Sequence, residues 1–340
     1  MVAAKIKFAL IGCGYWGANF LRVLAGSPLV TLVAVCDTDA DRRAAMHAQY
    51  PHITFTGDIS DVTSDMGIQA AVICTPVETH LPLTELLLRS GKHVLCEKPL
   101  TGTADGCLYL YDLAQQMQRC LMVGHVFEYN SVINYMQRMI AADEIGPLRY
   151  LQFTRMGLGP VRRDVSVIFD LAAHDVAIAL SIAGAMPLSV TATGQSFQSS
   201  GLEDVAFIQL TLPGGVIASI NVSWLDPIKQ RLVKIVGRDK MLLFDDLSLG
   251  EKLKIVEMGQ NYQDPKGDFG SFQLSVKDGQ IIIPNLQYPE SLVTELEHFA
   301  ECIHSGSAPR TDGRYAHRVV RVLEAAQESI RQDGKKILIT

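Results

Sequence analysis

The sequence predicts an α/β fold, with an N-terminal doubly wound parallel sheet followed by an α+β domain that carries a large, open-faced, mainly antiparallel sheet. Three observations carry this expectation. From residue 5 to about 126, short apolar runs alternate with helix-like stretches. Beyond about residue 124 the apolar residues shift to period two. At 340 residues the chain is also too long for one ordinary core and suits two domains. The expected division is 1–124 and 125–340, with the terminal helices packing back on the first domain.

The runs KFALIG, LVAVCD, AAVICTP, HVLCEKP and CLMVGHV are β-rich and apolar almost throughout, as strands of a parallel sheet covered on both faces should be. Between them, WGANFLRVLAG, ETHLPLTELLLRSG and TADGCLYLYDLAQQMQ read as helices, the first two ending in Gly in the manner of a C-cap. In the second part helices are expected over 131–142 and 166–183. Val216, Ala218, Ile220, Val222 and Trp224 then place one apolar face on a strand, with Ser219, Asn221 and Ser223 on the other. RLVKIVGRDKMLLFDD reads as two strands joined by a GRDK turn. ESLVTELEHFAECIHSG and GRYAHRVVRVLEAAQESIRQDG return to helical spacing, with Gly306 and Gly334 as stops.

Hydrophobic residues make up 48% and charged residues 19%, enough apolar surface to offset the entropy of ordering the chain. The formal charge of -6, with Lys and Arg scattered, leaves no footprint for nucleic acid. The apolar run after the opening basic residues is too short for a membrane span and leads into glycines, so it reads as a first strand rather than a signal peptide. No membrane partner is expected. Seven cysteines without CxxC spacing, mostly inside apolar runs, suit the reducing cytoplasm. No pair of His or Cys residues has metal-ligand spacing, and no metal is expected.

Gly12, Gly14 and Gly17 form G-x-G-x-x-G between a strand and a helix. The first glycine permits a tight turn, the second lets a pyrophosphate approach the backbone, and the third packs helix on strand. The helix N-terminus offers free N–H donors to phosphate. Asp37, twenty residues past Gly17 at the end of the second strand, can accept bonds from the adenosine ribose hydroxyls. The pattern predicts a Rossmann dinucleotide site, with Tyr15 and Trp16 of the same loop placed among the cofactor contacts. The Asp37 carboxylate repels the extra phosphate of NADP and so favours NAD. NADP is kept open by Arg42 and Arg43, which could reach a phosphate if the loop folded back.

The motifs Cys96-Glu97-Lys98-Pro99, Thr75-Pro76 with His80, Gly124-His125, and Asp170-Leu-Ala-Ala-His174-Asp175 extend this pattern along the chain. With them the sequence resembles the Gfo/Idh/MocA family, named for glucose-fructose oxidoreductase, inositol dehydrogenase and a rhizopine catabolism protein. The resemblance implies an NAD(P)-dependent oxidoreductase acting on carbinol carbons of sugars, cyclitols and related compounds. It places Thr75, Pro76, His80, Glu97 and Lys98 at the cofactor, and Lys98, His125, Asp170 and His174 at the substrate.

Elementary chemistry fits these residues. Lys98 lies just past a strand C-terminus, where ligands of doubly wound folds bind, beside Pro99, whose peptide bond can be cis. Glu97 either orients Lys98 or the nicotinamide ribose, or serves the turn as a structural carboxylate. Asp170 and His174 are four apart on an expected helix and share a face. Histidine suits a proton taken from a hydroxyl and returned, since its unperturbed pKa lies nearest neutrality. The catalytic set is thus Lys98, His174 and Asp170, with Lys98 and His174 expected to meet in a cleft between the domains; Asp175 is a weaker candidate. His80 and His125 follow strands of the first domain and either line the cofactor cleft or serve packing.

Residues 159–165, with Arg162, Arg163 and Asp164, and residues 224–231, with Lys229 and Arg231, look like a branch of the family that acts on nucleotide-linked sugars. Those four cations could bind a diphosphate. The branch implies oxidation at ring carbon 3, or the reverse ketoreduction. The alternatives are a simple-sugar or inositol-type dehydrogenase, an NAD-dependent glycoside hydrolase, and an inactive nucleotide-binding sensor. A homodimer or homotetramer built on the second-domain sheet is expected, with Ser219, Asn221 and Ser223 on its free face.

Overall fold

The computed structural model describes residues 5–159, 162–198, 201–258 and 279–339. The chain forms two compact units, Met1–Tyr129 with Pro289–Glu324, and Asn130–Tyr288 with Ala325–Thr340.

The first unit is built on six parallel strands, β1 (Ile6–Ile11), β2 (Val30–Cys36), β3 (Thr54–Thr56), β4 (Ala70–Ile73), β5 (His93–Glu97) and β6 (Leu121–Gly124), in the order β3-β2-β1-β4-β5-β6. β3 is a short strand outside the five apolar runs. The order reverses between β1 and β4, the switch point at which such sheets bind ligands beyond their strand C-termini. Phe8 and Leu10 of β1 and all four residues of β4 are buried, which is why these strands read as continuous apolar runs. The helices are α1 (Gly17–Gly26), α2 (Ala40–Gln49), α3 (Ser60–Thr63), α4 (His80–Arg89) and α5 (Ala104–Gln116). Asp39 caps α2 by accepting from Arg42 N, and Thr103 caps α5 by accepting from Gly106 N. Of the two expected glycine stops, Gly91 after α4 adopts φ +77°. Gly26 instead closes α1 from inside, and Ser27 is its C-cap in extended conformation.

The second unit begins with α6 (Ser131–Ala141), capped by the Asn130 side chain. The expected helix over 166–183 is a π-helical turn, Ile168–Ala172, followed by α7 (Ala173–Ala183) and stopped by Gly184 at φ +62°. Its sheet has nine strands, β7 (Leu148–Met156), β8 (Ser189–Gln195), β9 (Val205–Thr211), β10 (Ile217–Ser223), β11 (Gln230–Gly237), β12 (Lys240–Asp245), β13 (Leu253–Glu257), β14 (Ile281–Ile282) and β15 (Ile337–Leu338). They run in the order β14-β13-β12-β11-β7-β10-β9-β8-β15, and every neighbouring pair is antiparallel except β7 with β10. β11 and β12 are joined through Arg238 and Asp239 of the GRDK segment.

In β10, Ala218, Ile220 and Val222 are buried and Ser219 and Asn221 are half-buried. Ser223 departs from the expectation of a free face, because it is buried and its hydroxyl accepts from Leu225 N at 3.0 Å. Where β10 leaves the sheet, a hydroxyl that satisfies the next main-chain N–H is better placed inside than in water. The exposed side chains near this strand include Ile217 and its partner Tyr150 on β7, and Phe207, paired with Asn221.

The chain closes with α8 (Ser291–Ser305), stopped by Gly306 at φ +70°, and α9 (Gly313–Arg331), followed by Gly334 at φ +83°. α8 belongs to the core of the first unit. Its Leu292, Leu296 and Phe299 are buried there, and the Phe299 ring meets Phe8 of β1 edge to face at 5.8 Å. Residues of α9 up to Glu324 belong to the first unit and those from Ala325 to the second. All seven cysteines are free. Among the described residues no helix is long and apolar enough to cross a membrane, and no cluster of His, Cys, Asp and Glu is arranged to hold a metal ion.

Candidate active site

The glycine loop has the backbone that a dinucleotide requires. Gly12, at φ +84°, leaves β1 with its N–H bonded to Cys36 O; a Cβ there would lie 2.8 Å from Cys74 O. A Cβ on Gly17 would lie 2.1 Å from Gly12 O, so the first turn of α1 can sit on the loop only without a side chain. Gly14 differs, since the nearest atom to a Cβ there is Arg42 Nη1 at 3.8 Å. The loop is therefore open at the one position where a pyrophosphate needs to approach it. Tyr15 beside it is 94% exposed.

Asp37, just past the end of β2, is held by a network of hydrogen bonds. Its Oδ2 accepts from Cys13 N at 2.8 Å and its Oδ1 from Asp39 N at 2.9 Å, while Arg42 Nη1 lies 3.0 Å from Oδ2. Burial works to raise this carboxyl, but the bonds from Asp39, Cys13 and Arg42 outweigh it and hold the pKa below the usual value. Arg42 also pairs with Asp39, and Arg43 Nη1 donates to Asp37 O at 2.6 Å. Both arginines thus brace the Asp37 turn.

The strand ends beyond β4, β5 and β6 are tied together. His80 is buried, with Nδ1 2.8 Å from Pro99 O and Nε2 2.9 Å from Thr75 O, so its ring bridges the Thr75-Pro76 loop and the turn after β5. The Thr79 hydroxyl donates to Pro76 O at 2.7 Å and lies in hydrogen-bond contact with the Thr75 hydroxyl at 2.6 Å. The Lys98-Pro99 peptide is cis. Glu97 Oε2 accepts from Lys98 N at 3.0 Å, and Oε1 accepts from Trp16 Nε1 at 2.5 Å, joining the β5 turn to the glycine loop. Gly124 is the close neighbour of this carboxylate, for a Cβ there would lie 3.0 Å from Glu97 Oε1.

His125 follows. It is buried, its Nδ1 has no hydrogen-bond partner among the described residues, and its ring meets Tyr315 edge to face at 5.3 Å. Burial, and then the positive charge of Lys98, push its pKa down to about 3, so the ring is neutral and close enough to Lys98 to feel the ammonium. One group the motifs did not disclose completes this end of the sheet. Glu295 of α8 is fully buried and both carboxyl oxygens lack a hydrogen-bond partner among the described residues. Burial and then the Glu97 charge raise its pKa well above the usual value, which favours the neutral acid. The sequence held a signal for it, because Glu295 lies on the apolar stripe of Leu292, Leu296 and Phe299, where a solvated carboxylate has no place.

In the second unit, Asp170 sits in the π-helical turn, a geometry often found at functional sites. Its Oδ1 accepts from Arg162 Nη1 at 3.3 Å and its Oδ2 from Trp224 Nε1 at 3.2 Å. His174 is half-buried one turn on, at the start of α7. Asp175 turns inward and pairs with Arg155 of β7 at 2.7 Å, with both groups buried. Burial pushes its carboxyl up against the pull of Arg155. Of the four cations read as diphosphate ligands, Arg162 is engaged by Asp164 and Asp170, and Arg231 by Asp246 at 3.4 Å. Arg163 and Lys229 are exposed. Pro160 and Val161 of the same segment lie outside the described residues.

A six-stranded Rossmann unit with an open glycine loop, a buried Asp37 at the end of β2 and a lysine just past β5 has the form of a nicotinamide-dependent oxidoreductase. Comparison with known proteins carries this further. Residues 6–125 match the Gfo/Idh/MocA oxidoreductase family with NAD-binding Rossmann fold, and residues 133–243 match the Gfo/Idh/MocA C-terminal domain. The chain is 30% identical to inositol 2-dehydrogenase of Rhizobium meliloti over 96% of its own length and 97% of that protein's. It is 28% identical to UDP-N-acetylglucosamine 3-dehydrogenase of Acidithiobacillus ferrooxidans over 72% of its length and 75% of that protein's. A solved structure of the Acidithiobacillus enzyme shares the fold with a TM-score of 0.83 at 24% identity, covering 98% of this chain and all of that one. The protein belongs to the Gfo/Idh/MocA family and is an NAD-dependent oxidoreductase.

Proposed function

We propose that the protein oxidises a ring secondary alcohol of a nucleotide-linked sugar, at carbon 3, or catalyses the reverse ketoreduction. The observation that carries the chemistry is the β5–β6 end of the first unit, where the Glu97 carboxylate accepts from Lys98 N and from Trp16 of the glycine loop, and the charge of Lys98 helps to keep the buried His125 neutral. The family relationship to a UDP-N-acetylglucosamine 3-dehydrogenase supports the substrate class. NAD, when bound, takes up the hydride. Gly12, Gly14 and Gly17 admit its pyrophosphate, Asp37 binds the adenosine ribose and selects against NADP, and Thr75, Pro76 and Glu97 line its nicotinamide half.

Lys98 polarises the reacting oxygen. His174 removes the hydroxyl proton as the hydride leaves, which prevents positive charge from building on the carbinol carbon. Asp170 holds His174 or a neighbouring hydroxyl, with its own orientation set by Trp224 and Arg162. A cyclitol is the second reading, favoured by the near full-length similarity to inositol 2-dehydrogenase. Formation of NADH or NADPH with UDP-N-acetylglucosamine, UDP-glucose and myo-inositol separates the readings. Turnover of the UDP-sugars with NAD is the expected result; turnover of myo-inositol alone would replace the nucleotide sugar with the cyclitol, and preference for NADP would remove Asp37 as the selector.

A further inference from the structure

The first unit contains a cavity of about 530 Å³ that the proposed chemistry does not use, bounded by α5, the segment before α9 and the start of α9. Leu108 of α5 and Pro309 supply apolar wall. Arg310, Arg314 and Arg318 bring three guanidiniums to the same space, on a chain whose net charge is -6. Among the described residues Asp312 is the one carboxylate in the lining, and its Oδ1 accepts from the main-chain N–H of Tyr315 at 2.8 Å. His317 Nδ1 donates to Ala104 O at 3.1 Å, which fixes the ring at the edge of the cavity.

Each guanidinium is held by an aromatic ring. Arg310 lies over Tyr129, with Cζ 5.2 Å from the ring centroid, and its Nη1 donates to Glu128 O at 2.6 Å. Arg314 lies over Tyr111 of α5 at 4.5 Å, and Arg318 over Tyr315 at 5.4 Å. A ring contact of this kind positions the cation without occupying its N–H fork. Among the described residues neither Arg314 nor Arg318 forms an ion pair or a hydrogen bond, whereas Arg162 and Arg231 are paired with Asp164, Asp170 and Asp246. Arg314 also stands in the first turn of α9, which holds no acidic residue. A cation there opposes the partial positive charge of the helix end, so helix stability does not account for it.

We propose that this cavity is a binding site for an organic phosphate, with the Arg314 and Arg318 forks gripping a phosphoryl or diphosphoryl group and Leu108 and Pro309 packing on the organic part. The volume is of the size that takes a whole small molecule rather than a lone ion. Tyr315, which supports Arg318, also meets His125 edge to face at 5.3 Å, so the cavity borders the β6 end of the candidate active site. Two sources share the required chemistry. One is the diphosphate of a nucleotide-linked sugar, which rests on the function proposed above; the other is a phosphorylated metabolite bound apart from the reacting sugar.

Calorimetric titration of inorganic pyrophosphate and of UDP into the NADH-saturated full-length protein tests the site, because the glycine loop is then already filled by cofactor. The expected result is saturable binding that weakens about tenfold in Arg314→Ala and in Arg318→Ala, with NADH affinity unchanged. Arg314→Lys, which keeps the charge and loses the fork, should fall between wild type and Arg314→Ala. Both arginines are exposed, and the thermal midpoint of each variant checks that the fold is intact. A raised KM for a UDP-sugar with kcat retained in Arg314→Ala would assign the cavity to the substrate; an unchanged KM with pyrophosphate binding lost would assign it to a separate metabolite. Failure of both probes to bind the NADH complex would overturn the proposal. Binding unaltered in the Arg314→Ala, Arg318→Ala double variant would also overturn it, while leaving the nucleotide-sugar reading in place.

Discussion

The glycine loop of the first unit and the π-helical turn of the second are both held in place, but by different means. At Gly12 and Gly17 the fixing contacts are backbone against backbone: Gly12 N on Cys36 O, and Gly17 pressed on Gly12 O. Around Asp170 they are side chains, Arg162 from the preceding segment and Trp224 from beyond β10. Backbone contacts tolerate no added atom yet leave open the space above the loop, whereas side-chain contacts set the direction of a carboxylate and can be removed one at a time. The first arrangement suits a cofactor common to many reactions, and the second would suit the proposed substrate site, since its contacts can be retuned one at a time.

Breaking each region in its core tests this contrast most strongly. Asp175→Ala removes the carboxylate from the buried Arg155 guanidinium beneath the π-turn and should cost about 3–5 kcal/mol of stability. Chemical denaturation reads the loss, and a change below about 1 kcal/mol would show that the pair is dispensable. In the first unit, Gly17→Ala should cost about 3 kcal/mol, because the displaced atom is a carbonyl rather than a flexible side chain. Gly14→Ala, by contrast, should leave stability within about 0.5 kcal/mol and weaken NADH binding roughly tenfold, so the two glycines separate in paired thermal melts and NADH titrations.

The buried imidazole adds a pH dependence. The folded pKa of His125, at about 3, lies below the unfolded value, so the unfolded state binds the extra proton as pH falls. Stability from this group is complete above about pH 6.5 and is lost on the way down to about 3, at about 1.4 kcal/mol per pH unit. His125→Asn should flatten the acid limb of the urea midpoint measured against pH, and an unchanged slope would move the acid sensitivity to other groups. The smallest effect is expected from Trp16→Phe, which keeps the ring and removes the donor to Glu97. With the indole 39% exposed, about 1 kcal/mol, or roughly fivefold in NADH affinity, is the expected loss. Unaltered affinity would mean that the bond does not couple the loop to the β5 turn.

The two regions were also unequally legible in the sequence. Gly12, Gly17, Asp37 and the Glu97-Lys98-Pro99 turn act through neighbours a few residues away or through backbone geometry, and such needs leave a local pattern. The Trp16–Glu97 bond and the effect of the Lys98 charge on His125 depend on β1, β5 and β6 lying in the order that the sheet imposes, which no spacing reveals. The same holds for Arg162 and Arg231. As isolated cations in a sequence they look available, but the fold brings Asp170 and Asp246 to them. Ser223 shows how a period-two face breaks at a strand end, where a main-chain N–H claims the hydroxyl. Glu295 was in plain view on an apolar stripe, but its meaning depended on Glu97 coming from another element.

The proposal that Lys98 and His174 carry the acid/base step while the glycine loop holds NAD is tested most directly by turnover and NADH affinity measured together on Lys98→Ala and His174→Ala. General acid/base groups typically contribute about 10²-fold to 10⁴-fold, so each variant should lose turnover on that order while its NADH dissociation constant stays near that of the wild type. Near-wild-type turnover in either variant, or loss of NADH binding in His174→Ala, would contradict the account.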